Sequence, residues 1–123
     1  MPIVRVDIPA GHPDAVKDRI RAGIKKAIDD VIDPGQKGRH PETRKWIYVS
    51  ITEAYGKLGD GLPTVTIDTR PGRKQEQKLE LARRLCDVFE QTLGTRDVYV
   101  LLRESEAGDH IGGGTPLPEW RPG

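Results

Sequence analysis

Two stretches of the chain carry apolar residues at intervals of three or four positions, the spacing that places side chains on one face of an α-helix. Gly94 follows the second stretch directly and is a residue type that commonly ends a helix. The pattern therefore predicts two amphipathic helices. Their apolar positions are Val16, Ile20, Ile24, Ile28 and Val31 in the first, and Leu81, Leu85, Val88 or Phe89, and Leu93 in the second.

Each predicted helix lies between two short segments rich in β-branched or aromatic residues. The first helix follows "PIVRVDIP" and precedes "WIYVSITE", and the second follows the predicted strand 64–69 and precedes "DVYVLLRE". A strand, a helix and a second strand in this order require a crossover connection, which makes the two strands of a unit parallel. The sequence therefore predicts two β–α–β units.

The two units repeat one sequence pattern. With a shift of sixty-one positions Pro2 falls on Pro63, Asp7 on Asp68, and Gly11 on Gly72. We predict a single α+β domain built from repeats at about 2–55 and 63–114, with a C-terminal tail over 115–123. The expected fold is a four-stranded mixed sheet with both helices on one face. The opposite face would then pack against another subunit.

Composition excludes several classes of partner and site. The formal charge of +1, from 20 basic and 19 acidic residues, gives no general reason to expect nucleic acid or an anionic membrane. The single cysteine, Cys86, excludes an internal disulfide. No apolar run approaches the ~20 residues that a membrane span needs, so we expect a soluble cytoplasmic protein. The low hydrophobic content, 35%, favours an oligomer.

Five motifs follow one another along the chain: a proline directly after the initiator methionine, a glycine followed by a basic residue, an amphipathic helix, a strand ending "ITE", and "HIGGG" near the C-terminus. Their order and spacing resemble the tautomerase superfamily up to about Gly114. Short members of that family are single β–α–β units. Long members, such as cis-type 3-chloroacrylic acid dehalogenases and malonate semialdehyde decarboxylase, are two units fused. The resemblance implies a fused member that forms a homotrimer and needs no cofactor.

Pro2 is the candidate catalytic residue. If Met1 is removed, Pro2 carries a free secondary amine, and an ordinary α-amino group has a pKa near ~8. Neighbouring cations and partial desolvation would both lower that pKa towards the working pH of a general base. Pro63 occupies the matching position of the second copy, but its nitrogen is held in a peptide bond. A proline after methionine can also be a tolerated residue without a role.

Arg70 and Arg73 are the candidate substrate-binding residues. They flank Gly72 between the predicted strand 64–69 and the second helix. Two guanidinium groups at the start of a helix suit a carboxylate. In fused members of the family an arginine pair in this context binds the substrate carboxylate. Taken alone, two such residues are more often solvated loop arginines.

Four further residues are weaker candidates or departures from the family pattern. His12 stands where single-unit tautomerases carry an arginine, and we expect it to be structural or solvated. Tyr48 and Tyr99 stand where those enzymes carry an arginine inside a strand. Their hydroxyl groups could bind a carbonyl oxygen, although strand aromatics more often belong to a core. His110 opens the tail that in the family forms a small hairpin over a neighbouring site.

Other candidate groups remain open. The inserted loop carries Asp33, Lys37, Arg39 and His40, and some fused relatives take a water-activating acid from near this region or from the tail. No residue type or spacing decides between these positions. The three histidines show no spacing typical of a metal site. Trp120 lies in the proline-rich tail, which we expect to cover a contact between subunits.

The predicted activity is cofactor-free proton transfer on a small 2-oxo or enol carboxylic acid. In this hypothesis Pro2 is the base or acid, and Arg70 and Arg73 hold the substrate carboxylate. One alternative is hydrolytic dehalogenation or decarboxylation of a three-carbon acid on the same scaffold, which would require an acid that activates water. Another alternative, of a different class, is a non-catalytic oligomeric binding protein in which Met1 is retained or Pro2 is buried.

Overall fold

The helices and strands follow one another in the predicted order. The structure is a computed structural model and describes residues 2–32, 48–54 and 62–120. A 3₁₀ turn, Ala107–Asp109, and a two-stranded hairpin follow the last long strand, and the second hairpin strand falls within the predicted tail 115–123. The elements are strand β1 (Ile3–Pro9), helix α1 (Asp14–Ala27), strands β2 (Tyr48–Ala54) and β3 (Thr64–Thr69), helix α2 (Gln75–Leu93), strand β4 (Tyr99–Glu104), and the hairpin strands β5 (Ile111–Gly112) and β6 (Thr115–Pro116).

The four long strands form one mixed sheet in the order β2-β1-β3-β4. β1 pairs in parallel with β2, and β3 pairs in parallel with β4, as two β–α–β units require. The units join through an antiparallel pairing of β1 with β3, in which Ile3 is opposite Asp68. The predicted α+β fold, a four-stranded mixed sheet with two helices, is confirmed.

One face of the sheet packs against both helices and forms the core. Alternate strand residues, such as Val4 and Val6 of β1 and Ile67 of β3, are buried with Leu85 and Phe89 of α2. The buried positions of the first helical segment differ from the predicted ones at one place. A π-helical turn, Ile28–Ile32, continues α1, and its wider spacing buries Ile28 and Ile32 and leaves Val31 only partly buried.

The other face of the sheet is uncovered in the single chain. Tyr48 and Tyr99 lie there with 55% and 67% of their surface exposed, and Leu101 is also exposed. Within a single chain, the interpretation of both tyrosines as core residues is therefore wrong. Asp68 lies on the same face between Arg103 and Arg5, each 3.0 Å or less from its carboxylate. These guanidinium groups, Arg103 above all, hold the pKa of Asp68 below its usual value.

Matching ion pairs connect the helix and the closing strand of each unit. Lys17 of α1 lies 2.7 Å from Glu53 at the end of β2, and Lys78 of α2 contacts Glu104 at the end of β4. The hydrogen bond from Lys17 lowers the pKa of Glu53 below its ordinary value of 4.5. The repeat therefore extends from the backbone to the side chains that join its elements.

The Glu53 pair predicts a measurable dependence of stability on pH. Because the pKa of Glu53 is lower in the folded chain, its contribution is present above about pH 4.5 and is lost as the pH falls through the folded pKa. We expect Glu53→Gln to lose less thermal stability than the wild type between pH 6 and about pH 3. Differential scanning calorimetry measures this, with Glu80→Gln on α2 as the control. Parallel acid profiles of wild type and Glu53→Gln would contradict the prediction.

Candidate active site

The antiparallel pairing of the two units brings the start of β1 next to the end of β3. Ile3 is opposite Asp68, so Pro2 lies beside Thr69, the residue before Arg70. Pro2 is buried, and its carbonyl oxygen accepts a hydrogen bond from the backbone nitrogen of Tyr48 at 3.3 Å. The structure thus brings Pro2, Tyr48 and the loop of Arg70 and Arg73 to one end of the sheet, here called the Pro2 end.

The opposite end of the sheet carries the residues that correspond in the repeat to Pro2, Tyr48 and Arg73. There the backbone nitrogen of Tyr99 donates to the carbonyl oxygen of Pro63 at 3.1 Å. His12 follows the end of β1 at this same end, where Asp7 is opposite Thr64. Within one chain, Tyr99 is therefore separated from Pro2 by the length of the sheet. Its role in substrate binding stays a prediction that requires a neighbouring chain.

Arg73 holds the loop after β3 together. Its guanidinium group is buried, with 5% of the residue exposed. Nη1 donates to Thr69 Oγ1 at 2.7 Å and to the carbonyl oxygen of Arg70 at 2.9 Å, and Nε donates to the carbonyl oxygen of Ile32 at 3.2 Å. Such charge-assisted hydrogen bonds fix the loop in one conformation. The interpretation of Arg73 as a solvated loop residue is therefore wrong.

Arg70 borders a cavity at the Pro2 end. It is 6% exposed, and its Nη1 donates to the carbonyl oxygen of Pro118 in the tail. The cavity has a volume of about 250 Å³ and lies between the arginine loop and the tail. Its lining includes Glu106 and Glu119 but neither Pro2 nor Arg73. These two acids carry no distinguishing signal in the sequence, because only folding places them in the cavity with Arg70.

His110 also lies at the Pro2 end but does not line this cavity. Its Nε2 is 2.8 Å from Ser105 Oγ in a hydrogen bond, and the backbone nitrogen of Ser105 donates to the carbonyl oxygen of Thr69 at 3.1 Å. The carbonyl oxygen of His110 accepts a hydrogen bond from the Leu117 backbone nitrogen at 2.8 Å. His110 therefore anchors the β5–β6 hairpin close to the arginine loop, and a substrate role for it stays a prediction.

Trp120 packs against the arginine loop of its own chain. The residue is 9% exposed, and the Arg73 guanidinium carbon lies 4.7 Å from the centroid of the Trp120 ring. A Cβ atom added at Gly72 would lie 3.0 Å from Trp120 Cε3. The sequence placed this tryptophan at a subunit contact. In the structure a contact inside the chain accounts for its burial.

Gly72 and Gly11 form a matched pair for testing this contact. Both occupy the turn after the first strand of their unit with positive φ, +120° and +104°, but nothing lies within 4 Å of a Cβ atom added at Gly11. We expect Gly11→Ala to lower the free energy of unfolding by about 1–2 kcal/mol through backbone strain. Gly72→Ala should lose about 1 kcal/mol more through overpacking against Trp120. Urea denaturation measures both, and equal losses would contradict the contact.

The part of the chain that the structure describes contains neither a metal-binding cluster nor a membrane-spanning helix. Among residues 2–32, 48–54 and 62–120, no group of three or more His, Cys, Asp or Glu side chains is arranged to hold a metal ion. No helix in the same ranges is long and apolar enough to cross a membrane. Asp33, Lys37, Arg39 and His40, which the sequence left open as candidates, lie outside the described residues.

Comparison with known proteins supports the relationship to tautomerases. The family model described as "Tautomerase enzyme" matches residues 63–118, the second unit. No curated protein matches the chain by sequence. Among solved structures, a native fused 4-OT is 26% identical, with 93% of this chain and 94% of that chain covered and a TM-score of 0.75.

Two further structures share the fold. A fused 4-OT solved as an asymmetric trimer is 22% identical over 93% of this chain and 94% of that chain, with a TM-score of 0.74. A malonate semialdehyde decarboxylase is 21% identical over 90% of both chains, with a TM-score of 0.67. The second unit therefore matches the tautomerase family, and the chain as a whole shares the fold of the fused 4-OT structures.

Proposed function

We propose that the chain is a cofactor-independent tautomerase that acts on a small 2-oxo or enol carboxylic acid. After removal of Met1, the secondary amine of Pro2 takes a proton from one position of the substrate and returns it at another. Arg70 binds the substrate carboxylate. Arg73 keeps the loop of Arg70 in place and adds positive charge to the same end of the sheet.

The observation that carries this proposal is the register between β1 and β3. It puts Pro2 beside Thr69 and therefore next to the arginine loop. Burial and nearby guanidinium groups both disfavour a charged ammonium, so both would lower the pKa of a free Pro2 amine. A base with a pKa near neutrality transfers protons most effectively at physiological pH.

The proposed role of Arg70 is supported by the oxygen atom that it already binds. Its Nη1 donates to the carbonyl oxygen of Pro118, beside a cavity large enough for a small organic acid. A substrate carboxylate offers two oxygens with more negative charge than a peptide carbonyl, so it would compete well for this guanidinium group. Binding would then displace or shift the tail at Pro118.

A second candidate function is favoured by the two acids in the same cavity. Glu106 and Glu119 line it together with Arg70, and a carboxylate beside a bound acid could activate a water molecule. This arrangement would suit hydrolytic dehalogenation or decarboxylation of a three-carbon acid. One structural neighbour is described with decarboxylase and hydratase activities. A panel of enol acids, 3-haloacrylates and β-oxo acids distinguishes these reactions by which substrate is turned over.

The decisive test for an amine mechanism is the state of the N-terminus. The burial of Pro2 is also what a non-catalytic binding protein with this fold would show. Intact-mass spectrometry of the purified native protein should find a chain that lacks Met1. The same preparation should turn over an enol acid in a kinetic assay. A chain that keeps Met1 and still ketonises the enol acid would exclude Pro2 as the base.

We also propose that the protein is a homotrimer. The uncovered sheet face exposes Tyr48, Tyr99 and Leu101, and at least one fused relative forms a trimer. Within one chain Tyr99 lies at the opposite end of the sheet from Pro2. In a trimer, the Tyr99 of one chain could lie close to the Pro2 end of a neighbouring chain. Light scattering coupled to size-exclusion chromatography measures the assembly. Only a mass three times that of the chain would support the proposal.

A further inference from the structure

The C-terminal tail has a specific contact with the arginine loop. We define the tail strap as the residues Leu117–Trp120. It begins at the backbone hydrogen bond from Leu117 to His110, continues with the hydrogen bond that Arg70 donates to Pro118, and ends with Trp120 over Arg73 and Gly72. The strap therefore connects the hairpin to both arginines.

Trp120 is buried outside the apolar core. The core cluster consists of residues from β1, β2, β3, the two helices and the π-helical turn, and Trp120 is not among them. Its ring instead covers a guanidinium group and a glycine. An indole is the aromatic group that attracts a cation most strongly, and the attraction increases when the cation is removed from water. The burial of Arg73 at 5% exposure meets that condition.

We propose that Trp120 is a positioning residue for the substrate carboxylate. Its indole holds the Arg73 guanidinium, and Arg73 in turn holds Thr69 and the backbone of Arg70. This inference rests on the proposed function, because it assigns to Arg70 the binding of the carboxylate. Trp120 also lines the cavity beside Arg70, but its proposed effect on the carboxylate passes through Arg73, and it takes no part in proton transfer.

The physical consequence of losing the indole follows from these contacts. Without the ring, water reaches the Arg73 guanidinium, and its hydrogen bonds to Thr69 and Arg70 compete with hydration. The turn that carries Arg70 then samples more conformations. A carboxylate has to order that turn when it binds, so its affinity falls. Proton transfer by Pro2 depends on a different group, so the rate for bound substrate changes little.

The kinetic test compares Trp120→Leu and Trp120→Met, which keep an apolar but non-aromatic side chain, with Trp120→Phe, which keeps an aromatic face. The substrates are an enol acid and its methyl ester, which lacks the carboxylate. For the acid, we expect the Leu and Met variants to raise KM about tenfold and to change kcat less than about twofold. The ester should show no such change in KM. The Phe variant should restore KM to within about threefold of the wild type.

A second readout does not depend on activity. The Nε–H of Arg73 donates to the carbonyl oxygen of Ile32 in a buried setting, so ¹⁵N-detected NMR should find it protected from exchange with water. We expect this exchange to be at least about tenfold faster in the Leu and Met variants and close to the wild type in the Phe variant. The Met variant provides the measurement if the Leu variant does not fold.

The outcomes separate this inference from the proposed function. Unchanged Arg73 exchange in both aliphatic variants, or equal changes in KM for acid and ester, would overturn the positioning role of Trp120. Full turnover by Pro2→Ala would instead overturn the proposed function. In that case fast exchange in the aliphatic variants would still show that Trp120 holds Arg73, but without a role in carboxylate binding.

Discussion

Replacing Pro2 by alanine is expected to lower kcat/KM for an enol acid by about 10²-fold or more, the range typical of losing a positioned general base. Alanine keeps an α-amino group, but that group rotates freely and lacks the ring that fixes the direction of the nitrogen lone pair. Because the base acts only in the proton-transfer step, the loss should appear in kcat more than in KM. Ketonisation followed by ultraviolet absorbance measures it.

The repeat supplies a matched control for this experiment. Pro63 occupies the same position in the second copy, is buried like Pro2, and accepts the equivalent hydrogen bond from Tyr99. Its nitrogen lies within a peptide bond, so Pro63→Ala removes the ring without removing an amine. We expect Pro63→Ala to keep wild-type turnover at a temperature where it is folded. Equal losses in both variants would indicate a structural effect of the ring and would contradict the base role of Pro2.

Replacing Arg73 by methionine is expected to lower the free energy of unfolding by about 3 kcal/mol. The substitution keeps most of the side-chain volume but removes the donors to Ile32, Thr69 and Arg70. It also removes the cation that Trp120 covers. For a chain of this length the loss corresponds to a decrease in Tm of about 12 °C, at matched protein concentration because assembly also contributes.

The control for this prediction is an arginine of the same chain at the surface. Arg83 on α2 is 66% exposed at its side chain and lies 3.6 Å from Glu80. We expect Arg83→Met to change the free energy of unfolding by less than about 0.5 kcal/mol, as for most exposed ion pairs. Equal thermal stability of the Arg73 and Arg83 variants would contradict the structural role of Arg73 and return it to the interpretation of a solvated loop residue.

The fold was predictable because its determinants are local in the sequence. The spacing of Ile20 and Ile24, and that of Leu81 and Leu85, follows the helical period, and the repeat shows that one β–α–β unit occurs twice. The wider π-helical turn at Ile28–Ile32 was not predictable from that period, since it buries Ile32 in place of Val31. Local spacing predicts a regular helix, and the packing of α1 decides where the regularity ends.

The candidate site was only partly predictable. The residue types and spacing at Pro2, Arg70 and Arg73 were enough to predict a base and a pair of carboxylate-binding residues without any structure, and those roles stay predictions. The antiparallel pairing of the two units decided which of these residues lie close together, because it puts the start of the first copy beside the loop of the second. The same pairing takes Tyr99 to the opposite end. Glu106 and Glu119 gave no signal, because acids in a charged sequence become informative only through their neighbours.

The sequence by itself determined the two units, their helices and strands, and the position of Pro2 directly after Met1. These properties depend on residue type and on spacing along the chain, which are present before folding. Only the tertiary structure decided that Trp120 lies on Arg73, that Arg73 faces the interior, and that Arg70 borders the cavity. Those contacts join residues up to about fifty positions apart, and no local pattern encodes which distant group a side chain will meet.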